Sequence, residues 1–488
     1  MTDRTGRTIL RGNELSVHSS DPLICIKERF GINGHRTSMK HVSDLCRLGL
    51  FDAKVPRFTS YPPANWFSDS VDASCTRTWL SDASKNAEIS LYVHIPFCRR
   101  LCWFCACRTQ GTRNDAPLAP YVDRVLAEAR DVRAQFVNGV QPHRLHLGGG
   151  TPTILSADLL DTLLSGLADI WGLENLQEFS VEVDPTDVGP ARLDMLASHG
   201  LSRASLGIQD FDPQVQDAIG RVQSRELTQK VVDQLRDRGI EALNFDLLYG
   251  LPFQTARTLD ATLEAALDMQ PSRIALFGYA HVPWMSKRQV LIPSDALPDP
   301  KTRLTLFDQA RRRLLGRGYI QIGIDHFALP HDPLAQAYYA KTLKRSFQGY
   351  TDDTSPYLIG LGASAISTYP HGFAQNIPMT GQYGNKIDAG EAATWRGYTL
   401  DARVHLKANL VEQLMCYHSA DLSAAQRADA ELMADIDRVA DHFDGAVNWD
   451  GQSLSINRWA HPLVRLIAVQ LVTRSAVTSG ERIYSAAI

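Results

Sequence analysis

No apolar run in this chain approaches the roughly 20 residues that a membrane-spanning helix requires. The N-terminus, MTDRTGRTILRGNELSVHSS, lacks the apolar stretch of a secretory signal. Net charge is also missing. The 50 Lys and Arg nearly balance 54 Asp and Glu, a formal −4, so no global field draws the chain to nucleic acid or an anionic membrane. These absences argue against membrane insertion and nucleic-acid binding and place the protein in the cytoplasm. The glycine run Gly148-Gly149-Gly150 is not a Walker loop, since no GK[ST] follows, and it lacks the spacing G-x-G-x-x-G.

What the chain has is a local excess of cysteine. Of eight cysteines, four lie between Cys98 and Cys107 in LYVHIPFCRRLCWFCAC. Cys98, Cys102 and Cys105 follow C-x3-C-x2-C, and Cys107 comes two residues later. So many thiolates in one loop repel each other unless a metal neutralises them. A structural zinc site usually closes with four ligands in two separated pairs, and no second pair appears downstream. Three thiolates holding three irons of a cubane would leave the fourth iron open. The zinc module remains the rival from another class. Cys25, Cys46, Cys75 and Cys416 are scattered, as reduced thiols are in a cytosolic chain.

At 488 residues the chain has room for more than one domain, though one α/β barrel absorbs most of it. Residues 1–50 read as a mobile N-terminal extension, with Met39 an alternative start. Residues 51–88 include PRFTSYPPANWF, neither helix nor regular strand, which must lie over a surface that buries its aromatics. Strand patterns then recur at Ile89–Pro96, Leu145–Leu147, Phe179–Asp184, Ala204–Gln209, Leu243–Leu248 and Ile274–Ala280. Helical spacing lies between them, with Ser156 as a cap and Gly239 as a stop. This alternation predicts an α/β fold: an incomplete (βα)6 TIM-like barrel, set in a catalytic domain over 89–390. Residues 391–488 predict a mostly helical, winged-helix-like C-terminal domain. It has helices over Val404–Tyr417 and Ala424–Phe443, a hairpin turning at Asp450-Gly451, and a last helix near Pro462–Thr473. The second helix is acidic, which argues against DNA contact, and the domain is expected to close the substrate pocket.

Parity locates the site. Tyr92 and His94 share one face of the first strand, Glu182 and Asp184 one face of the third, and Asn244 and Asp246 one face of the fifth; Gln209 ends the fourth. Singly, each is more simply a hydrogen-bonded core polar group. Together they line the strand ends where such folds keep their active sites, beside the cysteine loop and the glycine run. Glycines there expose backbone to a ligand at close range.

The C-x3-C-x2-C loop after a first strand resembles the radical S-adenosylmethionine (SAM) superfamily. YVHIPFC, Cys107, GGGTPT, EVDP, GIQDF, DLLYGLP, GYAH, GIDHFA, FQGYT, GLGASAIS and AQN together resemble the oxygen-independent coproporphyrinogen III oxidases, from about Lys54 to the C-terminus. The resemblance implies a [4Fe–4S] cluster on Cys98, Cys102 and Cys105, with SAM chelating the open iron. It implies a 5′-deoxyadenosyl radical that takes hydrogen from the propionates of coproporphyrinogen III, with loss of CO2 and formation of two vinyl groups. The product is protoporphyrinogen IX, in haem biosynthesis. It also implies that Tyr92, Gly149, Glu182 and Ile366 line this SAM, and that Phe104, Gly150, Thr151, Gln209, Arg221, Asp246 and Ala280 line an adjacent nucleoside site for a second SAM. Tyr92, His94, Cys107 and Glu182 are the catalytic candidates. Cys107 is either a packed thiol or a group near the substrate. Gly220-Arg221 departs from the more common Asn-Arg.

A substrate with four carboxylates calls for cations, and Arg57, Arg113, Arg345 and His326 are the candidates. The implied partners are an electron donor such as a flavodoxin or ferredoxin and no second subunit. The nearest rival is a haem chaperone of related sequence, which lacks the counterpart of Cys107; a haem-degrading radical SAM methyltransferase is a further one.

Overall fold

The computed structural model describes residues 39–83, 87–136, 140–472 and 484–488. Residues 1–38, most of the expected extension, lie outside the described residues. Six strands form the centre of the fold: β1 (Glu88–Ile95), β2 (Gln141–Gly149), β3 (Glu178–Val183), β4 (Arg203–Gln209), β5 (Ala242–Tyr249) and β6 (Arg273–Gly278). Each pairs in parallel with the next. Parallel neighbours need a crossover, and helices at Leu118–Ala134, Ala157–Trp171, Pro190–Ser198, Arg225–Arg236 and Ala256–Asp268 supply it. The Ser156 hydroxyl caps the second by accepting the Leu159 N–H at 3.3 Å, and Gly239, at φ +78°, follows the fourth.

The parity of β1 is as its residues dictate. Ile89, Leu91, Val93 and Ile95 are at most 1% exposed and pack with Val122, Val125, Ala129 and their helical neighbours. Tyr92 and His94 occupy the other face. The sheet is larger than the six strands, because β7 (Ile320–Ile322), β8 (His326–Ala328), β9 (Tyr357–Leu361), β10 (Ile366–Tyr369), β11 (Gly372–Asn376) and β12 (Thr394–Thr399) join it. The order of its 12 strands is β12-β11-β10-β9-β1-β2-β3-β4-β5-β6-β8-β7. Strand β9 pairs in parallel with β1, and the other additions are antiparallel. They are too short to show a clear period in sequence.

Opposite the expected site lies an ion-pair network. Arg144 pairs with Asp352 at 2.7 Å, Arg203 with Glu178 at 2.8 Å, and Arg273 with Asp332 at 2.5 Å. Arg203 and Arg273 begin β4 and β6, so this cluster closes the end of the sheet away from the glycine run.

The C-terminal region differs from expectation in two respects. The single helix expected over Ala424–Phe443 is two, Ala424–Ala428 and Ala430–His442. Asp429 breaks it, because its carboxylate accepts from the N–H groups of Glu431 and Leu432 and starts a new helix. The hairpin is present as Val447–Trp449 against Ser453–Ile456, with Gly451 at φ +87°, and Ser419–Asp421 adds a third strand. The expected mobile extension also needs correcting at its described end. Met39–Arg47 is a helix, and Leu45, Leu50 and Phe58 share a core with Leu410, Phe443, Ile467 and Ile488. Burial of these side chains ties the N-terminal segment to the C-terminal region.

One buried carboxyl secures β9 to β11. Glu128 accepts from Gly362 N–H at 2.7 Å, the Tyr383 hydroxyl at 2.7 Å and the Asn376 amide at 2.6 Å. Burial nonetheless raises its carboxyl to about 7, the hydrogen bonds opposing the shift. A group that holds its proton more tightly when folded loses stabilising effect as pH rises from the ordinary carboxylate range to about 7. The loss is at most ~3 kcal/mol. Urea unfolding between about pH 5 and about pH 8 is expected to show wild type falling relative to Glu128→Gln, with the difference level above about pH 7.

Candidate active site

The cysteine loop leaves β1 and is pinned from several sides. Gln110 N–H donates to Pro96 O at 2.8 Å, Thr112 N–H to Cys98 O at 3.0 Å, and Trp103 N–H to Ile219 O at 3.0 Å. The Ser286 hydroxyl donates to Cys105 O at 2.9 Å, and the Gln289 amide donates to Phe104 O at 2.8 Å and Ala280 O at 3.1 Å. Gly220 takes φ +65°, and a Cβ there would stand 2.7 Å from the Trp103 ring. The departure from Asn-Arg thus lets the loop pack closely.

The thiols sit in a positive setting. Arg221 donates to Cys102 Sγ at 3.4 Å and to Gly207 O at 2.8 Å, and pairs with Asp184 at 3.2 Å. Its Nε is buried without a partner. Cys102 is buried, Cys98 and Cys105 are half-buried, and Cys107 is accessible. Burial pushes Cys98 up to about 11, the Thr151 hydroxyl opposing and the Cys105 and Cys102 charges adding to the rise. Cys105 is drawn down to about 6, first by a hydrogen bond from Cys107, and against burial by Arg288 and Arg221. Cys107 keeps its proton as the donor of that pair. Three thiols and an orphaned guanidinium nitrogen suit an anionic thiolate cluster. Among the described residues no three His, Cys, Asp or Glu side chains converge as ligands of a single ion do.

The glycine run needs its glycines. A Cβ on Gly150 would lie 2.7 Å from Phe97 O and 3.0 Å from Cys98 Sγ, and one on Gly149, at φ +114°, 2.7 Å from the His94 ring. His94 Nε2 donates to Arg108 O at 3.2 Å, and its Nδ1 accepts from the Tyr92 hydroxyl at 2.9 Å. Burial lowers its pKa, so it is a neutral spacer beneath Gly149. Glu182 accepts the Gly149 N–H at 3.0 Å. Burial acts to raise Glu182, but His146 and this N–H bring it below the ordinary value, so it is a carboxylate. Asp246 beside it accepts from Asn244 at 2.9 Å and is pushed up to about 6 by burial and by Glu182. Asn244 Oδ1 is left without a partner.

His146 escaped the sequence reading. It stacks on Tyr92 at 5.6 Å, bonds the Ser180 hydroxyl at 2.7 Å and faces Glu182 at 3.6 Å. The signal was its parity with the glycine run in LHLGGG. Of the second expected set, Thr151 donates to Cys98 Sγ at 3.6 Å, and Phe104 and Ala280 meet through Gln289. Gln209 ends β4 at φ +71°, and Ile366 opens β10.

The expected cations divide. Arg57 donates to Gly278 O at 2.6 Å, and Arg345 to Phe58 O at 2.6 Å. His326 pairs with Asp325 at 2.7 Å. Arg113 is exposed and outside this group. A further member, Arg465, comes from the last helix, donating to Val55 O at 2.7 Å, Pro56 O at 2.9 Å and Ala487 O at 3.0 Å. Burial and then Arg57 depress it to about 9. Arg57 in turn lies within electrostatic reach of Asp325, Arg345 and Cys107. Three arginines and one aspartate leave positive charge over.

Gly150→Ala is expected to cut the iron and sulfide retained after anaerobic reconstitution and to lower the unfolding temperature, because the added methyl would stand 2.7 Å from Phe97 O and 3.0 Å from Cys98 Sγ.

Residues 92–266 match the family model of the radical SAM superfamily. The chain is 48% identical over 454 residues to the oxygen-independent coproporphyrinogen III oxidase of Paracoccus denitrificans, covering 92% of this chain and 100% of that one. It is 46% identical over 434 residues to the protein of that name from Cereibacter sphaeroides, covering 88% and 96%. The solved coproporphyrinogen III oxidase of Escherichia coli, described as a radical SAM enzyme, superposes with a TM-score of 0.81 at 32% identity, over 86% of this chain and 100% of that one. Similarity over such lengths, with the thiol loop and polar strand ends in one site, shows that this chain belongs to the oxygen-independent coproporphyrinogen III oxidases of the radical SAM superfamily.

Proposed function

We infer that the protein decarboxylates two propionates of coproporphyrinogen III to vinyl groups without oxygen, giving protoporphyrinogen IX for haem biosynthesis. The observation that carries this reading is a surplus of arginine, Arg57, Arg345 and Arg465 against Asp325, with Arg57 in electrostatic reach of Cys107. Such a mouth suits a ligand with several carboxylates.

When bound, the [4Fe–4S] cluster and SAM supply the hydrogen-abstracting 5′-deoxyadenosyl radical. Cys98, Cys102 and Cys105 are the residues to hold the cluster, with Arg221 offsetting its charge through Cys102. Tyr92, Gly149, Glu182 and Ile366 are the residues to line SAM. Glu182, kept ionised, is suited to accept from ribose hydroxyls. Phe104, Gly150, Thr151, Gln209, Arg221, Asp246 and Ala280 form the adjacent set for a second SAM. The orphaned nitrogen of Arg221 and oxygen of Asn244 support a polar ligand there. Cys107, accessible two residues beyond Cys105, is the candidate to meet substrate. The parallel core supports the incomplete (βα)6 barrel, and three short strands with helices support a winged-helix-like C-terminal domain. Arg345 and Arg465 hold the carbonyls of residues 55–58, which supports that segment as a cover over the mouth. We read the protein as a cytoplasmic monomer; no helix among the described residues is long and apolar enough to cross a membrane.

An anaerobic assay with reconstituted protein, SAM, a reductant and coproporphyrinogen III tests the reading. Protoporphyrinogen and 5′-deoxyadenosine are the expected products, and Cys102→Ser is expected to abolish both. Haem binding without SAM cleavage would instead mark a chaperone. Arg57→Ala is expected to raise the KM for coproporphyrinogen about tenfold or more, the cost of one charge-assisted hydrogen bond, with the KM for SAM unchanged.

A further inference from the structure

The surface over the thiol loop is apolar where the chain has no folding reason to be. Met285 and Val290 are 68% and 71% exposed, and Trp284, Leu291 and Val222 are about half exposed or more. Surface side chains of this kind are ordinary singly but not in one place. Two segments carry them, and both are anchored to the loop. Ser286 and Gln289 hold the carbonyls of Cys105 and Phe104, and Arg288 donates to Cys107 O at 3.4 Å. On the other side Arg221 touches Cys102 Sγ, and Arg100 donates to Val222 O at 3.3 Å. Ile219 and Ile292 share a small core against which Trp103 and Phe104 pack, so the apolar surface flanks the loop on both sides.

The loop and the 282–291 segment carry charge of one sign. Segments 98–113 and 282–291 contain Arg99, Arg100, Arg108, Arg113, Lys287 and Arg288 and no Asp or Glu, in a chain whose formal charge is −4. Arg99 is paired with Asp115, whereas Arg100 meets neutral acceptors and Lys287 is exposed. An apolar centre with a basic rim fits a partner with an acidic rim and an apolar face.

We propose that this surface docks a small acidic electron-carrier protein, which delivers the electron to the thiol loop. The proposal rests on the proposed function, which requires a one-electron donor. In the step the reduced carrier loses one electron, the cluster gains it, and no atom moves. The apolar contact excludes water, and the basic rim speeds encounter and orients it.

The test uses the full chain and purified bacterial flavodoxin in its oxidised form, with binding read by flavin fluorescence anisotropy. Saturable binding that weakens as salt rises is expected. Val290→Asp and Lys287→Glu together are expected to raise the Kd about tenfold or more. Their turnover with dithionite as reductant is expected to equal wild type. Unchanged Kd in the double variant, or binding indifferent to salt, overturns the proposal. So does light scattering that shows a wild-type dimer which the variants dissociate, since the surface would then join two copies. Failure of wild type with dithionite would strike the proposed function instead, a result the binding measurement does not share.

Discussion

A row of polar side chains on one face of an otherwise apolar sheet is costly to bury unless its members pair with each other or with a ligand. That constraint shapes the site. Tyr92, His94, His146, Glu182, Asn244 and Asp246 bond along and across β1, β2, β3 and β5. Most are satisfied internally. The remainder, an Arg221 nitrogen and an Asn244 oxygen, are what a ligand would complete. Crowding of Glu182 and Asp246 also separates their states: Glu182 is stabilised as the carboxylate, and Asp246 is pushed up to about 6.

The charge of the thiol loop is managed locally and asymmetrically. Arg221 and Arg288 lower the cost of a thiolate at Cys105, while Cys107 donates to it and stays protonated. The four cysteines close in sequence therefore sit in unlike settings, with Cys105 favoured as a thiolate and Cys98 and Cys107 disfavoured. The glycines opposite are required because Phe97 O, Cys98 Sγ and the His94 ring occupy the space any side chain would need.

Residues 45–58 meet the C-terminal region. Leu45, Leu50 and Phe58 are buried with side chains from Leu410 to Ile488, and this shared core carries Arg465 to the carbonyls of Val55 and Pro56. Gathering Arg57, Arg345 and Arg465 is unfavourable on its own, as the depressed Arg465 shows. Folding tolerates it because each arginine bonds backbone carbonyls and Asp325 supplies one negative charge. An anionic substrate would supply the rest.

By itself the sequence determined the six central strands, the polar faces of the first, third and fifth, the thiol loop and the glycine run, because period-two alternation and short motifs are local properties of a chain. The helix break at Asp429 was local too, but the acidic run around it hid the cap. The six flanking strands, the packing of residues 39–50 against the C-terminal helices, and the arrival of Arg465 beside Arg57 were decided only by tertiary structure. Those features pair segments hundreds of residues apart, and their free energy comes from burial and ion pairing that no local pattern records. His146 lies between the two cases: its parity was legible, but its stacking on Tyr92 and its claim on Glu182 required the neighbouring strands in register.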